Sequence, residues 1–548
     1  MFDIRVLNNH PLLRIAVILI VGIYVGECFG GSGVVWSSFA MSAVCLLLAA
    51  VFPLRKPKNI VKSGAPLFCS LCILCSVFFL GIFLVNANRE RMRSRLSTLQ
   101  QYSSSSDDHR VKKEVTVFEA VIVTPPAERG KVMRFDAVVT SQEVKPFLVH
   151  VSLLRDTVSN HHLALALGAG INVRSALKLE RRQAVPTTFV TPYNWELSAP
   201  QYSRLTHLQR ARLRLMLFRE RLLDRWHLAN ADAESEAVVA AMALGDKGRL
   251  SRELREEYSI SGAAHVLALS GMHLSIIYFL LSFVFIRKRW RAEGQLFVLP
   301  VIWLFALMVG LSPSVVRAAT MLSVYSFVIL LKRQAFTLNT LSLAAFVMLL
   351  ANPFNLWDIG FQLSFMSVLG IVIFYRPIYH FLSALFSRSA NERFLIRLFV
   401  KKRRLGEPKR GILITLRRCV LGMVALSLST QILSAPLVAF YFGRFSTYFL
   451  LTNLLVVPLV TPILYATLLF FLLGFLPSVQ IVVGKLVAGL AWLLNAGISW
   501  VASFPGASVE GISLSAWQVV LIYALIAILS YLVSLFMKKL RTWTLFSS

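Results

Sequence analysis

Acidic residues are scarce: the 548-residue chain carries 27 Asp and Glu against 57 Lys and Arg, a formal net charge of +30. Such an excess fits either a polyanionic ligand such as nucleic acid or the Lys- and Arg-rich cytoplasmic loops of a polytopic membrane protein, and charge alone does not choose. Cysteine is sparse, six in all. Cys45, Cys69, Cys72 and Cys75 lie in apolar runs, Cys28 near the end of one, and Cys419 after a basic loop. None falls in the polar part of the chain, which argues against a disulfide framework, and neutral thiols spaced like Cys69, Cys72 and Cys75 in a helix are packing residues rather than a zinc site. A GxxxxGK[ST] loop is missing, so no ATP hydrolysis is expected of this chain. The His and Asp cluster of an HxHxDH metal hydrolase and the G-x-S-x-G elbow are missing too.

Hydrophobicity is what the chain has in quantity. With 56% hydrophobic residues, 15% charged and a mean hydropathy of +0.67, it reads as a polytopic membrane protein. Apolar runs at 12–29, 34–52, 66–85, 264–286, 296–311, 316–331, 338–350, 361–375, 420–442, 448–473, 479–502 and 517–536 are each near the length of a bilayer-crossing helix, predicting an all-α membrane protein of about twelve spans. The first is no signal peptide, because its apolar core is long and a second span follows at once. Basic tethers at 55–58, 287–291, 332–333, 376–418 and 538–541 fall on one side if both termini are cytoplasmic. That arrangement leaves 312–314, 352–358 and 443–447 at the outer face. Within 448–473, Asn453, Pro458 and Pro462 leave two alternatives open, a single span or a broken or re-entrant helix.

After Asn86 the sequence turns polar and Ser-rich, and from Val115 the apolar pattern shortens toward period two. Val115, Val117, Glu119 and Val121 interleave with Thr116, Phe118 and Ala120, and further strands are expected at 133–140, 147–154 and 171–179. This predicts a small extracytoplasmic OB-like β-barrel, a fold that often binds single-stranded nucleic acid but hosts many other functions. Phe118, Phe135 and Phe147 are either stacking platforms or core. Residues 203–227 alternate Leu205, Leu208, Leu215, Leu222 and Trp226 with Arg204, Arg210, Arg212, Arg219 and Arg225, an amphipathic helix that lies on the membrane surface or turns its arginines to a phosphate backbone. The expected divisions are 1–86 for the first membrane helices, 87–200 for the β domain, 201–262 for connecting surface helices and 263–548 for a second membrane domain.

The stretch GAAHVLALSGMHLSIIY at 262–278 sets His265, Ser270, Gly271 and His273 in an apolar run. Polar groups inside hydrocarbon must find partners or water, so they are functional candidates. The competing role is packing: Ser270 and Gly271 let helices approach, and the histidines bond across a helix pair.

That stretch, with LGDKGRL at 244–250, SPSVVRAATM at 312–321, NPFNLWDIGFQLSFMSVLGI at 352–371 and SAPLVAFYFGRFS at 434–446, in this order, resembles the ComEC family of competence proteins. The resemblance implies an inner-membrane channel that passes one strand of transforming DNA into the cytoplasm, with an outer OB-like domain before a competence-type channel domain. With no nuclease metal cluster and no nucleotide-binding loop in the sequence, no enzyme, cofactor or metal is expected of this chain. The implied partners are single-stranded DNA, the lipid bilayer, a cytoplasmic ATP-driven DNA translocase, a periplasmic DNA-binding protein and a separate nuclease. Larger members carry a metallo-β-lactamase-like domain after the last spans, and this chain is expected to be the shorter form without it. Where the family has an Asn-Pro-Gly-Phe-Asp-Tyr-like segment, this sequence reads TPYNWELSAP, which leaves the docking of the insert open.

A charged strand needs an aqueous, weakly basic path through the membrane. His265, Ser270, Gly271, His273, Arg317 and Gln362 are the candidates to line it. Asp246, Lys247, Asp358, Asn453 and Pro458 are candidates for structural or gating roles. Arg317 neutralises phosphate or snorkels to the interface. Asp358 and Gln362, four apart, are expected on one helix face. Asp358 pairs with Arg317 or Lys247, holds a cation, or makes a structural hydrogen bond; Asp246 and Lys247 hold the outer mouth or form an exposed turn. Two other classes compete: an intramembrane hydrolase using Ser270 and His273, and a small-solute transporter, for which no internal repeat is found.

Overall fold

In a computed structural model the described residues are 10–29, 31–51, 65–104, 115–142, 144–156, 161–226, 232–267, 269–285, 291–332, 338–387 and 412–546. Three helices come first: α1 (Pro11–Cys28), α2 (Ser32–Val51) and α3 (Ala65–Ser104). At Gly26 the backbones of α1 and α3 nearly touch, since a Cβ there would stand 2.8 Å from the Ile82 Cα. The Asn86 amide then donates to the Gly26, Phe29 and Ile82 carbonyls at 3.2, 3.3 and 3.0 Å, which satisfies the open end of α1. The expected boundary at 86/87 falls inside α3. Residues 82–104 contain no Gly or Pro and include four Arg and three Leu, good helix formers, so the change of polarity alters what surrounds the helix and not the helix itself.

Beyond α3 the chain forms β1 (Thr116–Ile122), β2 (Ala127–Arg129), β3 (Val132–Val139), β4 (Phe147–Leu154), β5 (Gly170–Ser175), β6 (Leu177–Lys178), β7 (Thr187–Val190) and β8 (Trp195–Ser198) in one sheet. β1 pairs antiparallel with β3 and β5, β3 with β4, and β6 with β7, while β4 and β7 are parallel. Only Ala176 separates β5 from β6, so the sheet curls until one bent segment joins its two sides. Phe118, Phe135 and Phe147 are all buried in the core between them, together with Leu96 and Leu99 of α3, and are not stacking platforms. The period-two pattern placed the longer strands. β7 and β8 were not expected; β8 comes from the WELS of TPYNWELSAP, buries Trp195 and pairs with β5.

Glu27, at the end of α1, gathers the β domain and the first helices. Its carboxylate is buried, ion-pairs with Arg89 of α3 and lies 3.2 Å from Arg181 Nε in the loop after β6, and Arg89 also donates to the Arg181 carbonyl at 2.8 Å. Arg182 stands 5.9 Å from the centre of the Trp357 ring.

Helix α4 (His207–Trp226) buries Leu213, Met216, Leu223 and Trp226; the Trp226 ring meets Phe470 edge-on at 4.9 Å, and Arg212 donates to the Gly310 carbonyl at 2.5 Å. Short helices α5 (Ala233–Val239), ending in a π turn at Ala240–Leu244, and α6 (Arg252–Ile260) follow. The remaining helices are α7 (Gly271–Phe285), α8 (Arg291–Met308), α9 (Pro313–Leu330), α10 (Leu338–Ala351), α11 (Ile359–Ser387), α12 (Ile412–Phe442), α13 (Phe449–Leu472), α14 (Pro477–Ala502) and α15 (Ala516–Phe546). Strands β9 (Arg444–Ser446) and β10 (Ser508–Glu510) pair between them.

Every one of the twelve apolar runs falls on a helix. Among the described residues, nine helices are long and apolar enough to cross a bilayer, α1, α2, α3, α9, α11, α12, α13, α14 and α15, and α7, α8 and α10 are shorter apolar helices. The chain is a multi-pass membrane protein. Large apolar side chains face outward from these helices, Trp36, Val482 and Leu525 among them, as a lipid-facing surface requires. Most of the basic tethers, at 55–58, 287–290, 333 and 388–411, lie outside the described residues.

Candidate functional site

Two of the singled-out stretches begin helices whose first turns meet. Pro313 opens α9 with a preset φ, and Arg317, one turn in, is buried at 6% exposure. Its Nη1 lies 3.1 Å from Asp358 Oδ1. That same oxygen accepts the Phe361 amide at 2.6 Å, so Asp358 caps α11 from just outside the helix. The expected shared helix face with Gln362 is therefore corrected: Asp358 has extended backbone and Gln362 sits inside the first turn. Gln362 instead donates to the Leu356 carbonyl at 2.9 Å and accepts from the Tyr441 hydroxyl of α12 at 2.6 Å. An ordered run of polar groups thus ties α9, α11 and α12 together. Arg317 Nε has no hydrogen-bond partner.

Residues 262–270 do not open a span. The helix starts only at Gly271, and the expected run from 264 is corrected by seven residues. Gly262 has a φ of +85° and sits against Ser446 and Phe449, and Ala263, Val266, Leu267 and Leu269 of this non-helical stretch are buried within the protein. His265 is exposed, with Nδ1 3.1 Å from the Gly262 carbonyl. His273 is fully buried, and its Nδ1 accepts the Ser270 amide at 3.2 Å, which makes the ring a cap on α7 and leaves the proton on Nε2. A serine hydrolase needs the imidazole to accept from the hydroxyl. Here the nitrogen within reach is occupied by the backbone amide, and Ser270 Oγ has no partner, so the hydrolase reading finds no dyad. A Cβ at Gly271 would meet the Ala318 Cβ at 3.5 Å, an ordinary contact that brings α7 beside the residue next to Arg317.

The other candidates lie apart from this cluster. Asp246 accepts from Arg249 Nε at 3.1 Å and from the Gly248 amide at 3.0 Å, and the Lys247 carbonyl accepts from Arg255 at 2.5 Å, an ordered turn. Asn453 and Pro458 stand in α13, which runs unbroken from Phe449 to Leu472, the single helix rather than the broken one of the two alternatives. A proline removes one amide donor from a helix, and neighbouring helices in a membrane protein supply the remaining support. Thr452, beside Asn453, donates to the Ser261 carbonyl at 2.7 Å.

Three polar connections escaped the sequence reading. The Tyr258 hydroxyl donates to Asn495 Oδ1 at 2.7 Å, both buried. Arg444 reaches Glu256 at 2.7 Å and Glu510 at 2.8 Å. Tyr278, Gln295 and Ser326 form a buried cluster across α7, α8 and α9 at 3.0–3.1 Å. For two of them the signal was present: Ser326 and Asn495 are polar residues in apolar runs, like His273, whereas Gln295 stands just before one. Among the described residues no group of three or more His, Cys, Asp or Glu is placed to hold a metal.

The profile of the Competence protein family matches residues 242–536, which include the whole of this cluster. ComE operon protein 3 of Bacillus subtilis (strain 168) is 28% identical over 229 residues, 42% of this chain and 25% of that protein. An uncharacterized protein of Aquifex aeolicus (strain VF5) is 29% identical over 187 residues, 34% of this chain and 41% of that protein. The chain thus spans less than half the length of either relative. No solved structure matches.

Proposed function

Because the chain belongs to the ComEC family of competence proteins, we propose that it is the inner-membrane channel through which one strand of transforming DNA enters the cytoplasm in natural competence. The observation that carries this reading is the meeting of α7, α9, α11 and α12 around Arg317, where a buried guanidinium is paired on one side only. A path for phosphates needs cations held weakly enough for the strand to move on. One carboxylate on Arg317, itself half-exposed, leaves such a cation poised to exchange partners.

The remaining parts follow from that role. Both termini are cytoplasmic and residues 87–262 lie outside. The strand order β1-β3-β4-β7-β6/β5, returning to β1 with one parallel pair, supports an OB-like barrel at the outer entrance. The chain itself does no hydrolysis. A periplasmic DNA-binding protein delivers the DNA, a separate nuclease removes the second strand, and a cytoplasmic ATP-driven translocase pulls the first. The test is a deletion strain given labelled duplex DNA. Label should accumulate outside the inner membrane and stay out of the cytoplasm, whereas normal cytoplasmic label would overturn the reading.

A further inference from the structure

Between the first turns of α2 and the middle of α3 lies a cleft of about 810 Å³ with two unlike halves. Trp36 and Phe39 of α2 and Phe83 of α3 make one, with the rings of Phe39 and Phe83 5.1 Å apart. Glu90, Arg91 and Arg95 of α3 make the other, together with Lys145 of the β3–β4 connection. The apolar run of α3 ends at Val85, so Phe83 lies at hydrocarbon depth. Arg91 stands about 9 Å past that edge at 1.5 Å per residue, just beyond a headgroup layer of about 5–8 Å. Cα–Cβ bonds tilt toward the N-terminus of a helix, which for α3 is the membrane side, so Arg91 and Arg95 lean back over that layer. Trp36, one turn into α2 and 74% exposed, stands where the aromatic belts of membrane proteins lie.

The charge of the cleft is unbalanced. Among the described residues Arg91, Arg95 and Lys145 make no ion pair, whereas the neighbouring Arg89 is held by Glu27. Three cations thus face one carboxylate, Glu90, directly above an apolar wall. A ligand that fits both halves carries an anionic group at one end and a hydrocarbon chain at the other. A nucleic acid shares the phosphate but has nothing to place at hydrocarbon depth, and a zwitterionic lipid has no net charge to offset the excess of cations.

We propose that this cleft holds an anionic phospholipid of the leaflet on the β-domain side, its phosphate on Arg91, Arg95 and Lys145 and an acyl chain along Trp36, Phe39 and Phe83. Lys145 belongs to the β domain and the two arginines to α3, so the headgroup bridges the domain and the membrane helix that carries it. The site depends on the chain spanning a membrane and not on what the chain conducts.

The test reconstitutes the full chain in vesicles of equal parts phosphatidylglycerol, phosphatidylethanolamine and phosphatidylcholine, extracts it in mild detergent and counts the retained lipids by mass spectrometry. Phosphatidylglycerol should be retained over the other two. Arg91→Gln and Lys145→Gln should each lower its retention about fivefold, the scale of one Lys or Arg beside an anionic surface, and the double variant should lose it. Arg93 is exposed on the same stretch of α3 but outside the cleft, so Arg93→Gln should retain lipid as the parent does. Arg91 and Lys145 are exposed, so melting in lipid-free detergent should be unchanged, while added phosphatidylglycerol should raise the melting temperature of the parent and of Arg93→Gln and leave the double variant where it was. The single variants decide if the double one melts early without lipid. Equal losses in Arg93→Gln and the cleft variants would mean diffuse attraction to a basic collar and overturn the proposal. So would unchanged retention in the cleft variants, or phosphatidylethanolamine held as well as phosphatidylglycerol. Displacement of the retained lipid by oligo(dT) would overturn it too and give the cleft to nucleic acid.

Discussion

The guanidinium of Arg317 rests on the bare Cα of Gly360: a Cβ built there would stand 2.8 Å from Nη2 and 3.0 Å from Nη1. The glycine belongs to the first turn of α11, beside the Asp358 cap, so the space that it leaves open is what lets the ion pair close.

Gly360→Ala is therefore a probe of that pair. Alanine favours helix over glycine by about 1 kcal/mol, so α11 should hold while the arginine head is pushed away from Asp358. DNA uptake should fall severalfold with little change in melting temperature. A loss of protein abundance matching the loss of uptake would instead assign Gly360 to packing.

His273 is expected to act through its bond to the Ser270 amide. Gln at this position has a carbonyl oxygen that can accept the same proton, whereas Leu has none, and losing such a cap typically destabilises by about 0.5–2 kcal/mol. His273→Leu should melt earlier than the parent, with His273→Gln between them, and a serine-directed probe should label none of the three. Labelling of Ser270 that vanishes in His273→Leu would restore the hydrolase.

Glu27 lies buried between two arginines. Removing one partner of a buried ion pair leaves the other uncompensated, a loss of about 3–5 kcal/mol. Glu27→Ala should give a protein that melts well below the parent and is nicked by protease in the β domain at lower dose. Equal protease resistance would mean that the Arg181 contact does not hold that domain in place.

His150 gives a pH dependence with a definite sign. The hydrogen bond to Asp136 raises its pKa above the ordinary 6.5, and partial burial opposes the rise. A raised value means that the protonated ring is favoured by the fold, so the contribution is complete below about 6.5 and is lost as pH climbs through the folded value. The ring is 48% exposed, so the effect is small. The melting difference between the parent and His150→Gln should shrink from about pH 6 to pH 8, the range in which histidine titrates. A difference that grows over that range would contradict the assignment.

Hydropathy located the helices because apolar length is what a bilayer selects, and each of the twelve runs overlaps one. It misplaced the start of α7 because residues 262–270 are as apolar as a span. Ala263, Val266, Leu267 and Leu269 of this stretch are buried without being helical, and hydropathy records surroundings rather than backbone. The end of α3 was hidden for the mirrored reason, since polarity at Asn86 announced water and not a break. A charge in an apolar run pointed to Arg317 and the motif at 352–371 pointed to Asp358, but the role of Gly360 is a matter of close approach that only the folded chain displays. Phe189 stands in a strand of four residues, too short to show its period, so its exposure is visible only in the fold, as is the burial of Phe118, Phe135 and Phe147.

With 40 residues, α3 is about 60 Å long at 1.5 Å per residue, roughly twice what the hydrocarbon layer takes up. Its C-terminal half is in effect a fixed axle, gripped at one end by Gly26 of α1 and at the other by the core of the β domain through Leu96 and Leu99. An added residue between Asn86 and Leu96 would turn the barrel by about 100° relative to the membrane helices, whereas seven would restore the bearing to within about 20° and lift it by about 10 Å. The phase of this one helix therefore sets the compass direction in which the β domain faces.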